Sequence, residues 1–181
     1  MNIIPAKEKY TKTVVAEMKK KFGYKSAMEV PRIKKAIVNV GIGRIVKENE
    51  KIEEIMNSIT AITGQKPVKT KAKKAISGFK IREGMEIGVK VTLRGARMWQ
   101  FIDRLVSATL PRTRDFQGID QKAVDNGGSL NIGIKEHMIF PEISPERVKH
   151  TFGLQVTIST DAGSREEGLE LFKLMGFPLK S

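Results

Sequence analysis

Four stretches of the chain alternate between apolar residues and mostly polar or small ones, and this period of two restricts the fold more than any other feature. Val38, Val40 and Ile42 alternate with Ile37, Asn39 and Gly41, and Ile87, Val89, Val91 and Leu93 with Gly88, Lys90, Thr92 and Arg94. Leu130, Ile132 and Ile134 alternate with Asn131, Gly133 and Lys135, and Leu154, Val156 and Ile158 with Gln155, Thr157 and Ser159. Successive side chains of a strand point to opposite faces, so each stretch reads as a strand with one buried and one open face. A shorter strand is expected at 67–70.

Between the strands lie four stretches of helical periodicity. The first, 5–23, starts at Pro5, ends at Gly23, and aligns Tyr10, Val14, Met18 and Phe22 on one face. The second, 48–63, turns Ile52, Ile55, Met56, Ile59 and Ile62 inward and stops at Gly64. The third, 96–109, buries Met98, Phe101, Ile102, Leu105 and Val106 and is expected to stop at Pro111. The fourth opens on the capping box Ser164-Arg165-Glu166-Glu167 and packs Leu169, Phe172 and Met175. One-sided strands with helices to cover them predict an α+β fold, a two-layer sandwich with a mostly antiparallel sheet and helices on one face. No linker or repeat divides the chain, so 1–181 reads as a single domain.

The other sheet face would then carry Asn39, Lys90, Thr92, Arg94, Asn131, Lys135, Gln155 and Thr157. Two readings stand for it: an ordinary solvated face, or a docking surface for a polar anion. Charge bears on the choice. Thirty-three Lys and Arg against 20 Asp and Glu give a net charge of +13. An excess of that size favours a polyanionic partner, usually nucleic acid or an acidic membrane surface. No apolar run approaches the ~20 residues of a membrane span. The start of the chain runs from Pro5 into Lys7, Glu8 and Lys9 without the apolar core of a signal peptide, so a cytoplasmic protein is expected.

The charge is concentrated. No acidic residue lies between Glu54 and Glu83, while that interval holds Lys66, Lys69, Lys71, Lys73, Lys74, Lys80 and Arg82. Within it, 71–84 reads as a mobile basic loop, with Ser77, Gly78 and Phe79 near its tip. Lys and Arg neutralise phosphates and an aromatic ring stacks on a base. The alternative is a solvated loop with Phe79 folded into the core. A smaller cluster, Arg112-Thr113-Arg114-Asp115, reads either as a second contact or as caps for neighbouring helices.

Catalytic and cofactor signatures are missing. There is no Cys, which removes thiolate metal sites and Cys nucleophiles. Gly41-Ile42-Gly43 lacks the third glycine of a dinucleotide fingerprint, because Val46 stands there. Thr63-Gly64-Gln65-Lys66-Pro67 opens a strand and not the helix of a phosphate loop. Both read as tight turns. His137 and His150 lack metal-ligand spacing, and each reads as a surface or satisfied histidine. No enzyme, metal or cofactor is expected; an RNA-binding protein is, either ribosomal or a free RNA chaperone.

A set of motifs, in order, carries a resemblance. Phe22-Gly23-Tyr24, Val30-Pro31-Arg32, Thr63-Gly64-Gln65-Lys66-Pro67, Ala72-Lys73-Lys74-Ala75-Ile76-Ser77, Arg82-Glu83-Gly84-Met85, Val91-Thr92-Leu93-Arg94, Leu110-Pro111-Arg112-Thr113-Arg114-Asp115-Phe116 and Phe140-Pro141-Glu142-Ile143 together resemble the family of the bacterial large-subunit ribosomal protein number five. The likeness runs over about 10–177. It implies a ferredoxin-like (RRM-like) sandwich that binds 5S ribosomal RNA and attaches it in the central protuberance, beside 23S ribosomal RNA and neighbouring 5S-binding proteins. It implies RNA contacts at Asn39, Gln65 and Thr92, to which the open face adds Lys90 and Arg94. The family's loop toward the elbow of P-site tRNA matches 71–84, with Lys71, Lys73, Lys74, Ser77, Phe79, Lys80 and Arg82. An intersubunit bridge to small-subunit protein thirteen is expected around Arg112 and Arg114.

Overall fold

A computed structural model of the chain describes residues 5–46, 48–114 and 116–180. Five strands, β1 (Ile33–Gly41), β2 (Val68–Lys71), β3 (Glu86–Leu93), β4 (Leu130–Ile134) and β5 (Leu154–Thr160), form one sheet in the order β2-β3-β1-β5-β4. β2 pairs antiparallel with β3, Val68 opposite Lys90 and Thr70 opposite Gly88, with a register shift between Thr70 and Lys71. The helices are α1 (Ala6–Lys9), α2 (Val15–Phe22), α3 (Asn49–Thr63), α4 (Gly95–Arg104) and α5 (Arg165–Met175). This is the α+β arrangement that the alternation predicts. Burial follows it in most places: in β1 Val38 and Val40 are buried while Asn39 and Gly41 are exposed, and in β3 Val89 and Val91 are buried while Lys90 is exposed, although Gly88 is buried and Ile87 only half-buried.

The backbone groups into two compact units, 1–36, 94–132 and 157–181 in one, 37–93 and 133–156 in the other. In the first, α1 packs on α4 and α5 packs on the turn between α1 and α2. Its fully buried side chains include Val14, Met18, Phe101, Leu105, Leu130, Leu171 and Phe172. In the second, α3 packs on β3, and Ile52, Ile55, Ile59 and Ile62 are buried together with Val38, Val40, Val89 and Val91. Burying one such side chain contributes about 1.5–3 kcal/mol.

Two expected helices are not uniform. Tyr10–Val14, between α1 and α2, and Leu105–Thr109, after α4, are π-helical turns, each closed by an N–H reaching five residues back. The burial pattern explains both. Val14 and Met18, and likewise Phe101, Leu105 and Thr109, are buried at steps of four. Four residues overshoot an α-turn of about 3.6 residues, so such a stripe drifts round the helix. A wider turn draws it back toward the core. Pro111 does not stop the third helix at once; the chain runs through it as the 3₁₀ turn Leu110–Arg112, which needs no N–H from the proline. Val106 and Leu169 are only half-buried, and Leu171 takes the core place expected of Leu169. The Ser164 hydroxyl accepts from the Glu167 N–H at 3.3 Å as a cap should, but the Glu167 carboxylate accepts from the Gly163 N–H, at 2.8 Å, one residue before the cap.

Candidate nucleic-acid interface

The open face of β1 and β3 in the second unit is where four of the expected RNA contacts meet. Asn39 and Lys90 are exposed and Thr92 is half-exposed, each projecting from the face opposite the core. Gln65 arrives from the turn after α3, where Gly64 adopts φ +67° to end the helix. The Gln65 side-chain amide nitrogen donates to the Thr92 carbonyl at 3.3 Å, and the Thr63 hydroxyl donates to the Gln65 carbonyl at 3.1 Å. These bonds fix the amide beside Thr92 and leave its oxygen as an acceptor. Arg94 lies outside this group, exposed at the N-cap of α4 in the first unit. Asn131 and Thr157, also in the first unit, are occupied with each other, the Thr157 hydroxyl donating to the Asn131 side-chain oxygen at 2.7 Å.

Three glycines fall on this side of the strands, Gly41 and Gly133 exposed and Gly88 buried. Gly41, Gly88 and Gly133 hold the same alternate positions as Asn39, Lys90 and Asn131. A Cβ at Gly41 or Gly133 would meet nothing within 4 Å, whereas one at Gly88 would lie 2.5 Å from the Thr70 hydroxyl and 3.8 Å from the Asn39 side-chain oxygen. Glycine in a strand gives up packing and conformational entropy, and marks places where another backbone approaches closely. The signal was already in the alternation.

The basic segment is a built hairpin between β2 and β3. The Ala72 N–H donates to the Met85 carbonyl at 2.8 Å, and Ile76 and Ile81 exchange backbone bonds of 2.9 and 3.1 Å. The tip, Ser77–Phe79, is a 3₁₀ turn closed by the Lys80 N–H on the Ser77 carbonyl at 2.9 Å. Lys80 has φ 54°, the one non-glycine with positive φ among the described residues. Phe79 is 73% exposed, so it is not folded into the core, and Lys71, Lys73, Lys74, Ser77, Lys80 and Arg82 are all exposed. Arg112 and Arg114 are exposed in the first unit; Asp115 lies outside the described residues.

His150 is exposed, whereas His137 is fully buried, its ring stacked on Phe152 at 3.9 Å. His137 Nδ1 accepts from the Phe152 N–H at 3.4 Å, and burial pushes the imidazole below its ordinary pKa. This is a structural histidine held neutral. Among the described residues no group of three or more His, Asp or Glu is placed to hold a metal ion.

A face of amides, hydroxyls and exposed glycines beside an exposed basic hairpin has the chemistry expected of a surface for a polyanion. The chain belongs to the ribosomal protein L5 family: the family's model for ribosomal protein L5 matches 26–82, and that for the L5P family C-terminus matches 86–179. Among its relatives is the large ribosomal subunit protein uL5 of Colwellia psychrerythraea, 50% identical over 171 residues that cover 94% of each chain. The protein of the same name from Halothermothrix orenii is 50% identical over 94% of this chain and 96% of its own. That of a Shewanella species is 50% identical over 96% of this chain and 97% of its own. The family is one of structural ribosomal proteins, not of enzymes.

Proposed function

We propose that this chain is a constituent of the large ribosomal subunit, in the bacterial cytoplasm, that holds 5S ribosomal RNA on its open sheet face. In this reading 1–181 acts as a single RNA-binding domain. The relatives' designation as large-subunit proteins supports the placement. The observation that carries the RNA assignment is the convergence of Asn39, Lys90, Thr92 and the tethered Gln65 amide on the face that also exposes Gly41 and Gly133. Amides and hydroxyls read splayed bases and 2′-hydroxyls, and a lysine supplies charge to phosphate. Arg94, exposed in the first unit, is a separate cation for the RNA. 23S ribosomal RNA and the neighbouring 5S-binding proteins surround it in the central protuberance.

The hairpin has a different task. Its cations, Lys71, Lys73, Lys74, Lys80 and Arg82, with Ser77 and Phe79 at the tip, contact the elbow of P-site tRNA. Arg112 and Arg114 meet small-subunit protein thirteen in an intersubunit bridge. One comparison tests the division of labour. Deleting Lys73 to Lys80 is expected to leave 5S affinity nearly intact at a fixed salt concentration and to speed tRNA dissociation from reconstituted ribosomes. Loss of 5S binding with unchanged tRNA release would show the hairpin to be an anchor for 5S RNA.

A further inference from the structure

The second unit contains a large groove of which the proposed tRNA contact uses only the hairpin edge, Phe79 and Lys80. Its volume is about 1230 Å³, and its walls are the inner side of the hairpin (Phe79, Lys80, Ile81, Met85), the turn after β1 (Gly43, Arg44) and the 149–153 segment. We propose that this groove binds one unstacked nucleotide of RNA, with Phe79 as the ring on which its base stacks and Arg44, Lys80 and Lys149 as the charges that face its phosphates. The inference rests on the reading of the hairpin as RNA-facing and names the ligand of its inner side.

Charge decides the class of ligand. The groove contains two carboxylates, Glu48 and Glu54, and both are engaged. Glu48 pairs with Lys51, and Glu54 accepts from the backbone N–H groups of Lys149 and His150 at 2.9 and 3.4 Å. Arg44, Lys80 and Lys149 are exposed and form no ion pair among the described residues, so the groove presents unneutralised positive charge. A cationic groove with apolar walls fits an anion that carries a flat apolar face, which is the description of a nucleotide.

Geometry decides how it is held. Phe79 is 73% exposed although its ring is the most apolar group of the tip. Its position is set by the 3₁₀ turn, by the Ile76–Ile81 clamp and by the left-handed Lys80, a conformation uncommon for a non-glycine residue. The turn therefore presents the ring instead of letting it collapse on the neighbouring apolar chains. At Gly43 a Cβ would meet nothing within 4 Å, so the backbone there is open to approach. The volume exceeds the roughly 300–1,000 Å³ usual for small-molecule pockets, which suits a nucleotide whose chain continues out of the groove.

The test uses the full chain and a short single-stranded RNA with one 2-aminopurine, whose fluorescence falls when the base stacks. Binding of the wild type is expected to quench it. Phe79→Ala should abolish the quench and weaken binding by roughly 5- to 100-fold, the range of a lost base–aromatic stack. Phe79→Trp should restore both, and Arg44→Gln should weaken binding while keeping the quench. Phe79 is already exposed, so its truncation opens no cavity, and circular dichroism verifies the fold. Unchanged affinity and quench in Phe79→Ala would overturn the proposal, as would equal binding of the same strand in a duplex. Release of tRNA from ribosomes carrying the Lys73 to Lys80 deletion separates the two readings. Unchanged release would sink the hairpin's tRNA assignment and leave the groove standing, whereas failure of the oligonucleotide alone would remove only the groove.

Discussion

Gly133 offers a probe of the sheet face that damages nothing else. It is exposed in β4, its φ is not left-handed, and a Cβ there would meet nothing within 4 Å. Gly133→Val therefore adds a side chain to open space, in a strand where a β-branched residue is at home. Removing the glycine cuts the entropy of the unfolded chain, a gain of about 0.5–1 kcal/mol. For a chain of this size that corresponds to a Tm higher by about 1–4 °C. On the RNA side the sign reverses. A valine lifts the docked RNA off the sheet locally and breaks on the order of two hydrogen bonds of about 0.5–1.5 kcal/mol each, a 5- to 150-fold loss of affinity. Thermal melts and filter binding of 5S RNA at one potassium concentration read both quantities from one preparation. Gly88→Ala is the contrast. Its Cβ would lie 2.5 Å from the Thr70 hydroxyl, so that side chain must rotate, at a cost of about 1 kcal/mol that offsets the entropic gain, and the melt is expected not to rise. A Gly133→Val protein that melts higher and binds 5S RNA within twofold of wild type would show that RNA does not approach this face.

Asn39→Ala and Thr92→Ala should each weaken 5S binding by about 1–3 kcal/mol and move the melt little, because neither side chain fills the core; melting and gel shift together check it. 5S affinity should fall steeply as potassium is raised, since neutralised phosphates release counterions, and a titration gives the slope. His137 predicts a pH dependence of stability. Its folded pKa is depressed by burial, so the unfolded chain binds the extra proton first, and stability present above the ordinary value of 6.5 is lost as pH falls below it toward the folded pKa. His137→Gln should flatten that limb of a melt-against-pH series, whose slope for one proton is at most about 1.4 kcal/mol per unit. Gly168→Ala should destabilise the protein by about 1–3 kcal/mol in denaturant unfolding. The helix gains about 1 kcal/mol from alanine, but the new Cβ would lie 2.5–2.8 Å from the Gly128 backbone, which cannot rotate away.

Legibility followed the range of the interactions. The strands were readable because alternation is a local consequence of pleating: Val38, Val40, Val89 and Val91 are buried where period two puts them. The helix stops at Gly23 and Gly64 were readable because a left-handed residue there is a local requirement, met by φ +73° and +67°. The π turns were not, since they arise from fitting Val14 and Leu105 to a core assembled from distant segments. Leu169 and Leu171 are about 200° apart on α5, flanking the Phe172 and Met175 stripe on opposite sides, and the contacts that choose between them are tertiary. Within the candidate site, Asn39 and Thr92 followed from alternation. The Gln65–Thr92 bond joins residues 27 apart in sequence and has no local signature. Arg44 and Lys149 line the same groove from two separate segments of the unit, so nothing near either position in the sequence announces the other.

On the proposed assignment, the separation of charge from hydrogen-bonding groups lets one small protein serve more than one RNA contact. The face carrying Asn39, Thr92 and Gln65 holds a single lysine among its named contacts in that unit, Lys90, whereas the hairpin holds Lys71, Lys73, Lys74, Lys80 and Arg82. Phosphate neutralisation is strong but blind to sequence, while amides and hydroxyls discriminate at little electrostatic gain. Crowding the cations onto the face would raise affinity for any RNA and erode the choice of 5S RNA. Removing them from the hairpin would leave its tip, Ile76 and Phe79, as an exposed apolar patch with no anion to meet. On the proposed assignment each element carries the chemistry its ligand requires: a selective face for a resident RNA, and a charged projection for an RNA that passes through.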